Sequence, residues 1–140
     1  MDSVNLDSSA FVADDELVRA LRSRAVLVHC NQDRILFRQG DEPTGLYIVH
    51  GGDATMWMDS PLGEELLRIP LAPGSLLGLP GLVGSKTYSM SADAKKGAEI
   101  SFLSREEFSK VMLSEPMLAM SILRVLAAEV HTARLALANA

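Results

Sequence analysis

Tight turns that contain glycine recur in the middle of this chain, and their spacing limits the folds that the chain can adopt. Short apolar runs at 35–37, 46–49 and 54–58 are separated by turns that contain Gly40-Asp41 and Gly51-Gly52. Glycines between such runs are typical of β-hairpins, because tight hairpin turns need a positive φ. The region therefore predicts consecutive strands joined by short turns.

The same alternation of short apolar runs and turn residues continues over about 26–104. It predicts eight strands, at 26–29, 34–37, 46–50, 54–58, 65–69, 76–77, 87–92 and 98–102. Many short strands at close spacing are typical of a sandwich or a barrel. We therefore predict a mainly β fold with flanking helices.

Helical patterns flank the predicted strands. Acidic residues at 14–16 precede a short segment with apolar residues at helical spacing, where they complement a helix dipole. Ser104 and Glu107 fit a capping box that starts a short helix. Ser114 is predicted to cap a longer helix that has Pro116 in its first turn and ends near residue 137.

Length and composition restrict the class of protein. With 140 residues the chain is expected to form one domain, at 13–140, behind a frayed or disordered segment at 1–12. The predicted β region spans about 26–104 and the C-terminal helices about 105–138. A single cysteine excludes an internal disulfide.

Charge and hydropathy favour a cytoplasmic protein that does not bind nucleic acid or a membrane. The formal charge of −5 supplies no basic face for DNA. The N-terminus lacks the apolar segment of a secretory signal, and the longest apolar stretch, at 76–83, is too short to span a bilayer. No pairing of a nucleophile with a base is visible, so an enzyme is not expected.

One segment of the hairpin region also resembles a known family. Phe37 is followed by Gly40-Asp41, and Tyr47 and Val49 by Gly52, at the spacing found in the cyclic-nucleotide-binding domain of the catabolite-activator (CRP/FNR-like) family. The resemblance extends over about 16–137. It implies a double-stranded β-helix (a β-roll, or cupin-like jelly roll) with an N-terminal helix and a long C-terminal helix. It also implies a non-catalytic sensor in signal transduction and transcription regulation, in a family whose members continue into a DNA-binding winged helix-turn-helix.

The resemblance further implies a phosphate-binding cassette near Gly78. In the family, a glutamate accepts from the ribose 2′-hydroxyl and an arginine pairs with the cyclic phosphate. Leu79 stands at the glutamate position and Tyr88 at the arginine position, with Lys86 as the nearest cation. The candidate ligand-binding residues are Gly78, Leu79, Pro80, Gly81, Leu82, Lys86, Tyr88, Ser89 and Met90.

Two interpretations of the altered cassette remain open. Loss of both polar contacts, at about 1.5–3 kcal/mol each, predicts weak binding of cyclic AMP or cyclic GMP. The cassette is either retuned for a less polar small effector, or filled by its own side chains in a ligand-free interaction and dimerisation module. No cofactor is expected under either interpretation.

The last helix is apolar over a broad arc, which favours a second partner besides its own domain. We predict a parallel homodimer with dimerisation residues Leu123, Leu126, Val130, Ala133 and Leu137. The alternative is a helix packed wholly onto its own domain.

The histidines and the cysteine form no recognisable metal pattern. His29, His50 and His131 lack the His-x-His spacing of metal-binding cupins. Cys30 beside His29 admits a haem or redox ligand, since some family members sense gas through haem, but packing is the favoured interpretation.

Overall fold

Short strands occupy the middle of the chain, and helices flank them. The structure is a computed structural model that describes residues 4–5, 8–84 and 86–138. The strands are β1 (Val4–Asn5), β2 (Val26–Val28), β3 (Arg34–Phe37), β4 (Gly45–Gly51), β5 (Ala54–Asp59), β6 (Glu65–Pro70), β7 (Leu76–Leu77), β8 (Ser91–Ala94) and β9 (Glu99–Ser104). The helices are α1 (Asp15–Arg22), α2 (Leu79–Gly84), α3 (Arg105–Ser114) and α4 (Ala119–Ala138), with a 3₁₀ helix at Pro116–Leu118.

The strands form two sheets. One has the order β1-β6-β5-β8-β3 and the other the order β2-β9-β4-β7. Neighbouring strands run antiparallel, except that β1 runs parallel to β6. This arrangement confirms the predicted β-roll with a long C-terminal helix.

Alternating side chains explain how the roll encloses its core. In β5, Ala54, Met56 and Met58 are buried while the residues between them stay half-exposed, which is the period of a strand with one face inward. The core between the sheets takes side chains from both of them, including Met56, Ile69, Ala92, Val49, Leu77 and Ile100.

A second apolar cluster joins the helices to the roll. It contains residues of α1, α3 and α4 together with residues of β4, β9 and α2: Leu17, Leu21, Phe108, Ile122, Val125, Leu46, Leu103, Leu79 and Leu82. The cassette helix α2 and the last helix α4 therefore share one core.

One predicted strand is wrong. The strand expected at 87–92 lies instead at Ser91–Ala94. The Tyr88 N–H donates to the Asp41 carbonyl at 2.9 Å, and the Tyr88 carbonyl accepts from the Gly40 N–H at 2.9 Å. These bonds hold Tyr88 against the 40–41 turn, so its backbone is not available to a sheet.

The two predicted caps have different outcomes. The Ser104 hydroxyl accepts from the Glu107 N–H at 3.2 Å and caps α3, as predicted. Ser114 caps nothing: it is the last residue of α3, and its hydroxyl donates to the Val111 carbonyl at 3.2 Å. The chain then turns through the 3₁₀ helix, and α4 begins only at Ala119.

The two terminal helices together are bent too sharply to form a straight span. Within the described residues, no single helix is long and apolar enough to cross a membrane. α3 and the stretch Pro116–Ala138 pass such a test only as a pair, and they are bent by 105°.

The N-terminal segment is more ordered than predicted. Phe11 is fully buried in the roll core, and the Ala13 N–H donates to the Gly74 carbonyl at 3.0 Å. β1 pairs with Leu67 and Arg68 of β6. The expectation of a frayed 1–12 is therefore wrong for 4–5 and 8–12, while 1–3 and 6–7 lie outside the described residues.

Candidate functional site

The cassette begins where β7 ends. Gly78 has a φ of +90° and turns the chain from β7 into α2. A Cβ at Gly78 would stand 2.7 Å from the Tyr88 ring, so only glycine fits this close approach. The turn into α2 is therefore shaped around Tyr88.

Tyr88 is locked inside the protein. Its side chain is 3% exposed, and its hydroxyl donates to the Gly45 carbonyl at 2.7 Å. Its ring stacks on Phe37 with 4.1 Å between ring centroids. Tyr88 therefore occupies interior space and has its polar atom satisfied, in the position where the family resemblance expects an arginine.

The apolar cassette residues also point inward. Leu79 is 0%, Leu82 is 3% and Met90 is 2% exposed. The two leucines pack with Ile122 and Val125 of α4, and Met90 lies in the roll core. These side chains are therefore packed as ordinary core residues.

The other candidate ligand residues lie at the surface or serve the backbone. Lys86 and Ser89 are exposed, and Pro80 is half-buried. A Cβ at Gly81 would stand 2.9 Å from the Thr87 carbonyl oxygen, so this glycine lets α2 pack against the returning chain. The structure thus brings together Gly78, Leu79, Leu82, Tyr88 and Met90 in the interior, and leaves Lys86 and Ser89 outside it.

Arg105 is a site residue that sequence reasoning missed. Its Nη1 donates to the Leu82 carbonyl at 3.1 Å and its Nη2 to the Pro43 carbonyl at 2.9 Å, while its N–H donates to the Thr44 carbonyl at 3.0 Å. Arg105 therefore ties the end of the cassette helix to the start of α3. The available signal was a cation in the first turn of a helix, where the dipole disfavours it.

The outward face of α4 carries large apolar side chains. Met120 is 58%, Leu123 55%, Val130 48% and Leu137 61% exposed. Together with Ala127 and Arg134 they recur at alternating intervals of three and four residues, which is the spacing of a coiled-coil seam. Of the predicted dimerisation residues, Leu123, Val130 and Leu137 lie on this outer seam, whereas Leu126 and Ala133 are partly buried against the chain's own core.

The inward face of α4 is apolar in its first half and more polar in its second half. Its first half docks through Ile122 and Val125, which are apolar. Its second half docks through Glu129, Thr132 and Ala136, which are 3%, 4% and 0% exposed. Burial raises the pKa of Glu129 to about 8.

Two of the cavities among the described residues lie beside α4 and beside β2, away from the cassette side chains. One, of about 330 Å³, lies between the N-terminal segment and α4 and is lined by Ala10, Val12, Ala13, Asp14, Ser121, Arg124 and Val125. There the Asp14 carboxylate accepts from the Ser121 hydroxyl at 2.6 Å, and this bond is the main reason that the pKa of Asp14 is lowered. The other, of about 350 Å³, is an open groove beside β2 with Tyr47 and Phe102 in its wall.

The histidines and Cys30 do not converge. Cys30 is 7% exposed and belongs to the roll core, while His29 is exposed. A His50 ring nitrogen lies 2.7 Å from the Ser101 hydroxyl, and burial lowers the pKa of His50. No group of three or more potential metal ligands occurs within the described residues.

The two sheets, the short cassette helix and the long last helix define a β-roll regulatory domain. Comparison with known proteins agrees: the family described as "Cyclic nucleotide-binding domain" matches residues 27–115. The chain therefore belongs to the cyclic nucleotide-binding domain family, and its relatives place it with the CRP/FNR-like proteins.

Two curated relatives and one solved structure illustrate the similarity. The chain is 30% identical over 106 residues to the cyclic AMP receptor protein of Thermus thermophilus, covering 76% of this chain and 49% of that protein. It is 29% identical over 129 residues to the transcriptional activator protein Anr of Pseudomonas protegens, covering 92% and 49%. The crystal structure of the Thermus thermophilus catabolite activator protein matches with a TM-score of 0.74 at 30% identity, covering 93% of this chain and 62% of that one. The chain thus spans about half the length of these curated relatives.

Proposed function

We propose that this chain is a non-catalytic regulatory domain whose cassette is closed by its own side chains and which acts through a homodimer built on α4. The observation that carries the proposal is Tyr88, which is 3% exposed and bonded to the Gly45 carbonyl. Of the two interpretations of the cassette, this geometry supports the ligand-free one.

Binding a cyclic nucleotide in the cassette would require the interior to open. The Tyr88 hydroxyl bond and its stacking on Phe37 would be lost, and a buried carbonyl left unpaired costs about 1–3 kcal/mol. The nearby cations offer little in return. Arg105 already donates to two carbonyls, and Lys86 would act only as a point charge.

The outer seam of α4 supports dimerisation as the way in which the domain acts. Four large apolar side chains that are 48–61% exposed lie along one line of a 20-residue helix. A second copy of the same helix would bury them by knobs-into-holes packing. A role in transcription regulation is proposed from the similarity to the transcriptional activator protein Anr.

Thermal-shift and calorimetric titrations with cyclic AMP and cyclic GMP test the closed cassette. A ligand that binds only the folded state must raise the melting temperature. Because the cassette is filled by its own side chains, we expect no such rise at millimolar nucleotide. The double variant Leu79→Glu with Tyr88→Arg should melt lower than the parent and should gain no nucleotide affinity. Micromolar binding by the parent, or recovery in the double variant, would instead favour a sensor.

A further inference from the structure

The inner face of α4 has an unusual composition at one place. The five buried residues of α4 recur at alternating intervals of three and four: Ile122, Val125, Glu129, Thr132 and Ala136. The first two bring branched apolar side chains, and the last three bring a carboxyl, a hydroxyl and a methyl group. The second half of the helix therefore gains little apolar burial when it docks.

The Glu129 side chain lies almost fully buried on the inner face of α4. It is 3% exposed, and among the described residues it has no hydrogen bond and no ion pair. An ionised carboxylate in such a place is costly, so the docked helix requires the protonated form. Its pKa of about 8 reflects burial alone.

Among the described residues, no charged group on the elements packed against α4 is recorded as a partner of this carboxyl. α4 packs principally against α2, the 3₁₀ helix and β6. The sequences of α2 and the 3₁₀ helix contain no ionisable side chain. On β6, Glu65 and Arg68 pair with each other. In the segment before α1, the Asp14 carboxylate accepts from the Ser121 hydroxyl. On α4 itself, Arg124, His131 and Arg134 are exposed.

We propose that the second half of α4, residues 127–138, is a proton-dependent latch that lies against the domain while the Glu129 carboxyl is protonated and lifts away as that carboxyl ionises. Ile122 and Val125 keep the first half of the helix anchored during this opening. The latch concerns the same helix as the proposed dimer, but it rests on contacts within one chain.

The sign of the pH dependence follows from linkage. When released, Glu129 is expected to titrate at its ordinary value, whereas in the docked helix its pKa is about 8. Between these two values the docked form holds a proton that the released form has lost. Docking is therefore strongest at low pH and weakens by up to about tenfold per pH unit until roughly pH 8, where it levels off.

Amide hydrogen exchange on the whole chain tests the latch. Exchange is followed from pH 5.5 to 7.5 and corrected for intrinsic rates, and local opening is compared between 127–138 and 119–126. In the parent we expect the opening of 127–138 to rise by up to about 100-fold across this range. The variants Glu129→Gln and Glu129→Leu should remove the pH dependence, while Glu115→Gln, at an exposed glutamate, should retain it.

Two results would overturn the latch. The first is an equal pH dependence in the parent and in both Glu129 variants. The second is an equal free energy of opening for 119–126 and 127–138 at every pH, because both segments would then exchange only through global unfolding. Light scattering on the same samples measures the oligomeric state separately. A monomeric chain would refute the proposed dimer, while hydrogen exchange alone would still decide whether the latch exists.

Discussion

The cassette and the last helix place their apolar side chains in opposite ways. In the cassette, Leu79, Leu82 and Met90 point inward, and the one polar group among them, the Tyr88 hydroxyl, is bonded to the backbone. On α4, Met120, Leu123, Val130 and Leu137 point outward, while Glu129 is almost fully buried.

This difference separates a region that is already stabilised by packing from a region that can still be stabilised by a new contact. A well-packed interior with paired polar groups stabilises one arrangement, so the cassette has little to gain from a ligand. An exposed apolar line and a buried lone carboxyl leave α4 able to gain from a new contact. The cassette is thus the region whose interactions are already satisfied, and α4 is the region that can gain from a new contact.

The largest change in the free energy of unfolding should come from removing the Tyr88 side chain from the cassette. Tyr88→Ala removes a buried ring and should lower the free energy of unfolding by about 3–5 kcal/mol in urea titrations. Tyr88→Phe keeps the ring, leaves the Gly45 carbonyl unpaired and should cost about 1–3 kcal/mol. The exposed control Lys86→Ala should stay within about 0.5 kcal/mol. A loss below about 1 kcal/mol in Tyr88→Ala would mean that the cassette is not packed as core.

The outer seam of α4 should be next in magnitude. Leu123→Glu combined with Val130→Glu should raise the dimer dissociation constant at least 100-fold, or about 2.7 kcal/mol, because charges would be buried in the seam. Light scattering measures this change. Leu62→Glu, which makes the same change at a hairpin tip that is 90% exposed, should leave association intact. A parent chain that is monomeric at tens of micromolar would contradict the dimer itself.

Arg105 connects the two regions and should have an intermediate effect. Arg105→Ala removes charge-assisted bonds to the Leu82 and Pro43 carbonyls, and we expect a loss of about 2 kcal/mol in stability. Arg38→Ala, at an exposed arginine, should change stability by less than about 0.5 kcal/mol. If the two variants behave alike, the cassette helix is held by packing alone.

The smallest effect per step concerns pH. Because the folded-state pKa of Glu129 is raised to about 8, its contribution favours folding at low pH and is lost between its unfolded pKa and roughly pH 8. We expect the free energy of unfolding to fall by up to about 1.4 kcal/mol per pH unit in this window, relative to Glu129→Gln. His50, whose pKa burial lowers from its ordinary value, acts with the opposite sign, so only the difference between the two proteins isolates Glu129. Parallel pH profiles would show that Glu129 ionises without penalty.

Local sequence signals succeeded where structure depends on neighbours along the chain. The hairpin glycines and short apolar runs predicted a mainly β sandwich or barrel, the family resemblance implied the roll, and Ser104 was identified as a cap from its spacing to Glu107. Ser114 carried a similar local signal and caps nothing, because the chain first completes a 3₁₀ turn. The residues 87–90 carried a strand signal that the bonds of Tyr88 to the 40–41 turn override.

The cassette substitutions were visible in the sequence, but their consequence was not. Leu79 and Tyr88 could be recognised as departures from the family pattern, and this left a retuned pocket and a filled one equally open. Only the packing of Tyr88 against Phe37 and its bond to the Gly45 carbonyl distinguish them. Arg105 was missed for the same reason, since its acceptors lie 23 and 62 residues away.

The sequence by itself determined a mainly β fold with flanking helices, because turn residues and apolar periodicity act over a few neighbouring positions, and its resemblance to a known family implied the β-roll. The tertiary structure decided which side of each apolar segment faces inward. It closed the cassette around Tyr88, turned the seam of α4 outward and buried Glu129 beneath it. These outcomes depend on contacts between residues far apart in the chain, where the competition between burial, hydrogen bonding and charge is resolved only by the folded geometry.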